Sequence, residues 1–260
     1  MGMEQIKVEL IDQMGTDLST VNSARVSFDK ESDYDIVHNY KNSEGYSYAL
    51  SVGFSDTGEI TKEGMCVLKK IIPADEKLIK YLADHKHMTP FRHNQIQIRC
   101  HAPIFLARQL GKHQAGLSWN EVSRRYVDSE PEFFIPDEWR GRPVGSIKQG
   151  SGGVVEENSG CLENLKNGDD IYFEYEDLLL MCEIWYKANS HIAPELARMV
   201  LPQSMITSWY WTGNLLAFAH VYKERIAEGA QLEAQHFAKE LDKVIRPLYP
   251  VSWQALVGGE

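Results

Sequence analysis

The sequence predicts an α+β fold, with strands in its first part and helices filling its C-terminal half. Two observations carry this. Short strand-like runs occur at residues 5–11, 48–54 (Tyr48 to Phe54) and 94–101, whereas helical spacing dominates from Ile171 to Ile245. Runs of strands followed by runs of helices mark the α+β class, not an alternating parallel-sheet fold. With 260 residues, 43% hydrophobic and 25% charged, the chain can bury a sizeable core.

Between the first strands, residues 56–64 are polar and contain glycine, which reads as a loop. Helical spacing begins near Cys66 and recurs at Ala74–His85, where Leu78, Ile79, Tyr81 and Leu82 fall at helical steps. Pro90 ends that unit. In 94–101 the alternation of Ile96, Ile98 and Cys100 against Gln95, Gln97, Arg99 and His101 predicts a half-buried strand. Pro103 then suits the first turn of a helix over Ile104–Lys112, which aims Arg108, Gln109 and Lys112 from its last turns. Residues 142–170 contain six glycines and little apolar periodicity. They read as a surface loop insertion within one domain spanning 1–260. Beyond them, Ile171, Tyr175, Leu178, Leu179, Cys182 and Trp185 form a helical stripe. A short helix lies between Pro194 and Pro202, followed by helices over Asn214–Ala227 and Ala230–Ile245.

Charge and composition exclude several classes of function. The formal net charge of −10 and pI near 5.4 argue against a broad nucleic-acid surface. No apolar run approaches the ~20 residues of a membrane span, and the N-terminus lacks the apolar core of a signal peptide. A cytoplasmic location is therefore expected. Cys66, Cys100, Cys161 and Cys182 lie far apart with no zinc-site spacing, so no metal is expected and the thiols read as reduced. Cys100 sits on the apolar face of its strand, where a thiol without a cationic neighbour is inert.

Against this acidic background, Arg108-Gln-Leu-Gly-Lys112-His113-Gln114 and Ser118-Trp-Asn-Glu121-Val-Ser123-Arg124-Arg125-Tyr126 place four cations, a histidine and a carboxylate within nineteen positions. Such a local reversal of sign draws in a small anion. Each part also has a plainer reading. Ser118-x-x-Glu121 fits a capping box at a helix start, the paired arginines fit a solvated face, and His113 fits a surface histidine. A second basic group, Arg198, Asn214, His220 and Arg225, changes the balance. Arg198 is a lone cation in a largely apolar segment between prolines, and such an arginine usually has an anion to bind. Asn214 and Arg225 lie ~3 helical turns apart with Phe218 and Val221 between them, which suits a pocket floor. Arg225 equally fits a cation compensating the dipole of a helix C-terminus.

The central stretch resembles the signature of flavin-dependent thymidylate synthases: an Arg-His-Arg triplet, then Ser after seven or eight residues, in a pattern ending Asn-Glu-x-Ser-x-Arg-Tyr. Here the triplet reads Lys112-His113-Gln114, and Ser123 follows after eight residues. Ser23-Ala-Arg25-Val-Ser27-Phe, His87-Met-Thr89-Pro90-Phe91-Arg-His93, Ala102-Pro-Ile-Phe-Leu-Ala-Arg108-Gln109, Ala197-Arg198-Met-Val-Leu-Pro202 and Trp211-Thr-Gly-Asn214 also look like family segments, in family order.

The resemblance implies an antiparallel sheet packed with helices, and a homotetramer with flavin sites between subunits. It implies reductive methylation of dUMP to dTMP, with methylenetetrahydrofolate as carbon donor, FAD as redox cofactor and NADPH as reductant. By position, Gln109, Lys112, Glu121, Ser123, Arg124, Arg125, Arg198 and Arg225 would hold dUMP. Thr89, Lys112, His113, Gln114, Glu121, Asn214 and His220 would line the FAD site, and Arg225 would be catalytic. This family uses no enzyme cysteine as nucleophile, in keeping with an inert Cys100. Four departures bear on the flavin. Lys112 keeps the charge of the first triplet arginine but not its planar fork, and Gln114 loses the charge of the third. His220 stands where the family usually has Asn, and Leu216 where it often has Arg. The altered triplet leaves open a second reading, a catalytically idle nucleotide-binding relative with impaired FAD binding.

Overall fold

The computed structural model describes residues 2–40, 59–60, 66–127, 129–143, 150–156, 159–162 and 170–258. At its centre is a four-stranded antiparallel sheet, in the order β1 (Lys7–Met14), β5 (Gln95–Pro103), β9 (Ile206–Asn214), β6 (Leu117–Glu121). The period-two alternation in β5 places Ile96, Ile98, Cys100 and Ala102 on one face, fully buried. Register pairs Ile98 with Trp211 and Cys100 with Trp209 on the same face. Trp119 of β6 stacks on Trp209 at 4.3 Å between centroids and meets Trp211 edge-on.

Helices α6 (Leu215–Ile226) and α7 (Leu232–Ile245) cover that face through Phe218, Val221, Phe237 and Leu241. Burial of such side chains stabilises by about 1.5–3 kcal/mol each. The opposite face is polar, with Gln97 donating to Thr212 and His101 bonded to Ser208 across the strands. Helix α8 (Pro250–Val257) is held at its start by buried Asp17, which accepts from the backbone N–H of Val251 at 2.9 Å and of Ser252 at 2.7 Å. Burial raises the Asp17 pKa, and these bonds oppose the rise.

The α+β class, the antiparallel sheet and most expected helices are present, including α2 (Pro73–Asp84), α3 (Ile104–Leu110) and the short α5 (Pro194–Ala197). Several local expectations are corrected. Cys66–Lys70 is strand β4, not the start of a helix: it pairs with β2 (Asp35–Tyr40) and β3 (Glu59–Ile60), and helix begins only at Pro73. Glu59–Ile60 thus also interrupts the expected loop at 56–64, and the expected strand at 48–54 lies outside the described residues.

Ile171–Phe173 is strand β8, paired with β7 (Gly160–Leu162) within the expected surface insertion. Helix α4 (Tyr175–Ala188) starts afterwards, at a capping box formed by Glu174 and Asp177. Of the expected stripe only Leu179 is buried in α4, while Leu178 and Trp185 are exposed. Ser118–Glu121 lies in strand β6, so the capping-box reading falls: pairing with β9 takes up the backbone donors that a cap would satisfy. Among the described residues no helix is long and apolar enough to cross a membrane.

Cys100 is fully buried, and burial pushes its thiol pKa well up. Cys100→Ala is expected to leave catalysis in place and cost stability through the lost packing. Comparison of turnover per folded molecule with a melting curve checks this, and loss of turnover in a stable variant overturns it.

Candidate active site

The expected site residues gather along the β6 edge of the sheet and the adjoining ends of α3 and α6. They are distributed over four clefts. Ile104, Arg108, Lys112, His113, Gln114 and Glu121 line one of about 620 Å³. Asn214 and His220 line a second of about 620 Å³, together with Met88 and Arg92, which flank Thr89. Gln109 and Arg225 share a larger one of about 1030 Å³. Glu121, Arg124 and Arg198 share a smaller one of about 240 Å³, near the size of a single small ligand. Ser123, Arg125 and Thr89 line none of the four.

His113 lines the first of these clefts and touches a residue of each of two others. Arg225 donates to His113 Nε2 from Nε at 3.0 Å and from Nη2 at 2.9 Å. The His113 ring also meets His220 edge-on at 5.6 Å. Burial lowers the His113 pKa to about 4, with Arg225 and His220 adding to the fall. At neutral pH the ring is therefore uncharged and accepts at Nε2, which places its proton on Nδ1. Arg225 lies in the last turn of α6, but its guanidinium is engaged with a side chain of the central motif instead of merely facing the helix dipole. Gln109 Oε1 is buried with no partner among the described residues. A buried acceptor left unmet costs ~1–3 kcal/mol, and the residue itself lines the cleft of Arg225.

The expected pocket floor is corrected. Phe218 and Val221 are fully buried in the core, and the α6 face that lines a cleft carries Leu216, His220 and Lys223 instead. Asn214 is the N-cap of α6, and its Oδ1 accepts from Ala217 N–H at 2.9 Å. Gly116 beside it has φ +75°, and a Cβ there would lie 2.6 Å from Asn214 Nδ2. Both the left-handed backbone and the close approach require glycine.

Glu121, at the end of β6, accepts from Thr207 Oγ1 at 2.9 Å and lines two clefts. The two arginines of the central motif diverge. Arg124 donates to the carbonyls of Ser129 and Glu130, while Arg125 lies 5.2 Å over the Tyr126 ring. Arg198 is exposed at the mouth of its cleft and has no partner among the described residues.

Sequence reasoning missed His101 and Ser208, which line the small cleft and bond each other at 2.7 Å. The signal was present in the polar phase of β5, but β9 itself was not anticipated. Arg25, part of a family-like segment, is a structural residue that pairs with buried Asp75.

An antiparallel sheet with helices on one face, and clefts that gather most of the expected site residues, defines an α+β protein with room for small ligands. A family model described as thymidylate synthase complementing protein matches residues 9–251. The flavin-dependent thymidylate synthase of Thermus thermophilus is 30% identical over 95% of this chain and 74% of its own. That of Thermosipho africanus is 31% identical over 96% and 90%. The chain belongs to the flavin-dependent thymidylate synthase family. Its fold is also similar to that of a UMP/dUMP methylase, PolB from Streptomyces cacaoi, solved with 5-Br dUMP: TM-score 0.63 at 24% identity, covering 96% of this chain and 93% of that one.

Proposed function

We propose that the protein converts dUMP to dTMP, with methylenetetrahydrofolate supplying the carbon, NADPH the hydride and FAD the redox relay. The observation that supports this most is the junction at His113, where a neutral imidazole touches both Arg225 and His220 and joins the expected substrate and flavin residues. In the overall step uracil C5 exchanges its proton for a methyl group. The donor leaves as tetrahydrofolate, and NADPH leaves as NADP⁺.

The cleft at Asn214 and His220 fits a flat cofactor. Leu216, Ala217 and Leu256 give it an apolar wall, and Asn214 and His220 give polar contacts. Flavin bound there supplies hydride chemistry. The protein's own residues bind and polarise the nucleotide. Arg198, Arg124 and Gln109 hold it, and the Arg225 guanidinium stabilises the negative charge that develops on the uracil when N3 loses its proton. Charge pushed into the ring makes C5 the nucleophile, so no thiol is needed. The open clefts on this chain accord with a homotetramer in which a neighbouring subunit completes each site.

The test is a flavin absorbance spectrum of the purified protein, a dUMP titration, and an assay for dTMP with all co-substrates present. Binding of dUMP with no bound flavin and no dTMP formed would favour the idle relative with impaired FAD binding. Gln114→Arg, which restores the missing triplet charge, is expected to tighten FAD about 3- to 10-fold. An unchanged or weaker affinity in a fluorescence titration would remove Gln114 from the flavin site.

A further inference from the structure

The four clefts differ sharply in charge. Those at Arg198, Arg225 and Lys112 each carry at least one glutamate in their lining. The cleft at Asn214 and His220 carries none, and its charged residues are Arg92 and Lys223. Neither cation has a salt-bridge partner among the described residues. In a chain of net charge −10, two unpaired cations around a carboxylate-free cleft make a site that selects an anion.

Their placement bears on the altered motif. On α6, Leu216, His220 and Lys223 follow at i, i+4 and i+7, which puts them on one stripe of the helix, and all three line this cleft. The stripe begins with leucine where the family often has arginine, and regains a positive charge two turns later. Arg92 stands on another element, the 3₁₀ turn Thr89–Arg92, beside the expected flavin contact Thr89. The charge missing at Leu216 is thus present in the same cleft at different positions, while Gln114 lines the cleft of Lys112 and His113.

We propose that Arg92 and Lys223 bind the diphosphate of FAD in this protein, in place of the missing arginines of the family pattern. The proposal rests on the flavin-dependent reading above. Both side chains are exposed and water-screened, so each contact is modest and the pair is needed.

The test is fluorescence titration of the full-length flavin-free chain with FAD, and separately with riboflavin, which has the ring but no phosphate. Arg92→Gln and Lys223→Gln should each weaken FAD about 3- to 10-fold, and together about 10- to 100-fold. The salt dependence of FAD binding should flatten in the double variant. Riboflavin affinity should stay within twofold throughout, and Lys223→Arg should retain FAD affinity.

Unchanged FAD affinity in the double variant, or equal weakening of riboflavin, would overturn the assignment while leaving the flavin-dependent reading intact. So would weakened dUMP binding with FAD unmoved, since the anion would then be the substrate phosphate. A wild-type chain that binds no FAD would sink the proposal and the functional reading together.

Discussion

Arg225→Ala is expected to lower dTMP formation about 100-fold or more while bound flavin still accepts electrons from NADPH at a near-normal rate. The magnitude follows from the loss of one preorganised donor aimed at developing charge, which typically costs ~10²–10³ in rate. A cation serving only the helix dipole would behave differently: its removal would cost ~0.3–1 kcal/mol of stability and leave turnover untouched once the protein is folded. The geometry separates the two roles. Arg225 Nε and Nη2 converge on His113 Nε2, and the same residue lines the cleft that Gln109 also lines. Anaerobic flavin reduction, dTMP formation and a melting curve on the same preparation measure the separate consequences. Turnover within a few fold of wild type would exclude Arg225 from the site.

The parts of the fold that were legible in the sequence are those where one face is apolar and the other is not. β5 alternates strictly, and its burial follows that alternation residue by residue. α7 was equally clear, because Ala234, Phe237, Ala238, Leu241 and Ile245 recur at helical spacing and are all buried. β9 was missed for a physical reason. Its run Ile206-Thr-Ser-Trp-Tyr-Trp-Thr-Gly mixes aromatic and hydroxyl residues, and the inward phase shows only once β5 supplies the partner in register. β6 was misread because Ser-x-x-Glu satisfies a helix-cap pattern locally, whereas tertiary pairing with β9 decided the outcome. Helix α1 (Asp17–Arg25) has a weak apolar stripe and depends on contacts that join distant segments, including Asp17 to Ser252 and Arg25 to Asp75.

The candidate site was legible as a list of residues but not as an arrangement. Charge reversal in an acidic chain marked the central motif, and Arg198 stood out as a cation among apolar neighbours. Their distribution over clefts, the His113 junction and the contribution of Arg92 and Lys223 depend on which helix faces remain outside the core. Phe218 and Val221 illustrate the limit. Spacing put them on a shared face with Asn214 and Arg225, yet the tryptophans of β9 claim that face and turn the neighbouring stripe outward.

Arg198→Ala is expected to weaken dUMP binding about 10- to 100-fold with little change in melting temperature. The argument turns on what each arginine of the small cleft already does. Arg124 is committed to the carbonyls of Ser129 and Glu130, so its loss would loosen the segment it ties down as well as remove charge. Arg125 is occupied with Tyr126. Arg198 has no protein partner among the described residues and stands in a cleft that also presents Glu121, Glu130 and Glu132. A charge-assisted contact to phosphate contributes about 1.5–3 kcal/mol, which corresponds to the expected range of affinity. Arg198→Lys should recover part of the loss, because it keeps the charge but not the paired donors. Calorimetric titration of dUMP against uridine identifies the contact. The variant should lose affinity for dUMP and not for uridine, since uridine has no phosphate. Equal losses on both, or none on either, would remove Arg198 from the phosphate end of the site.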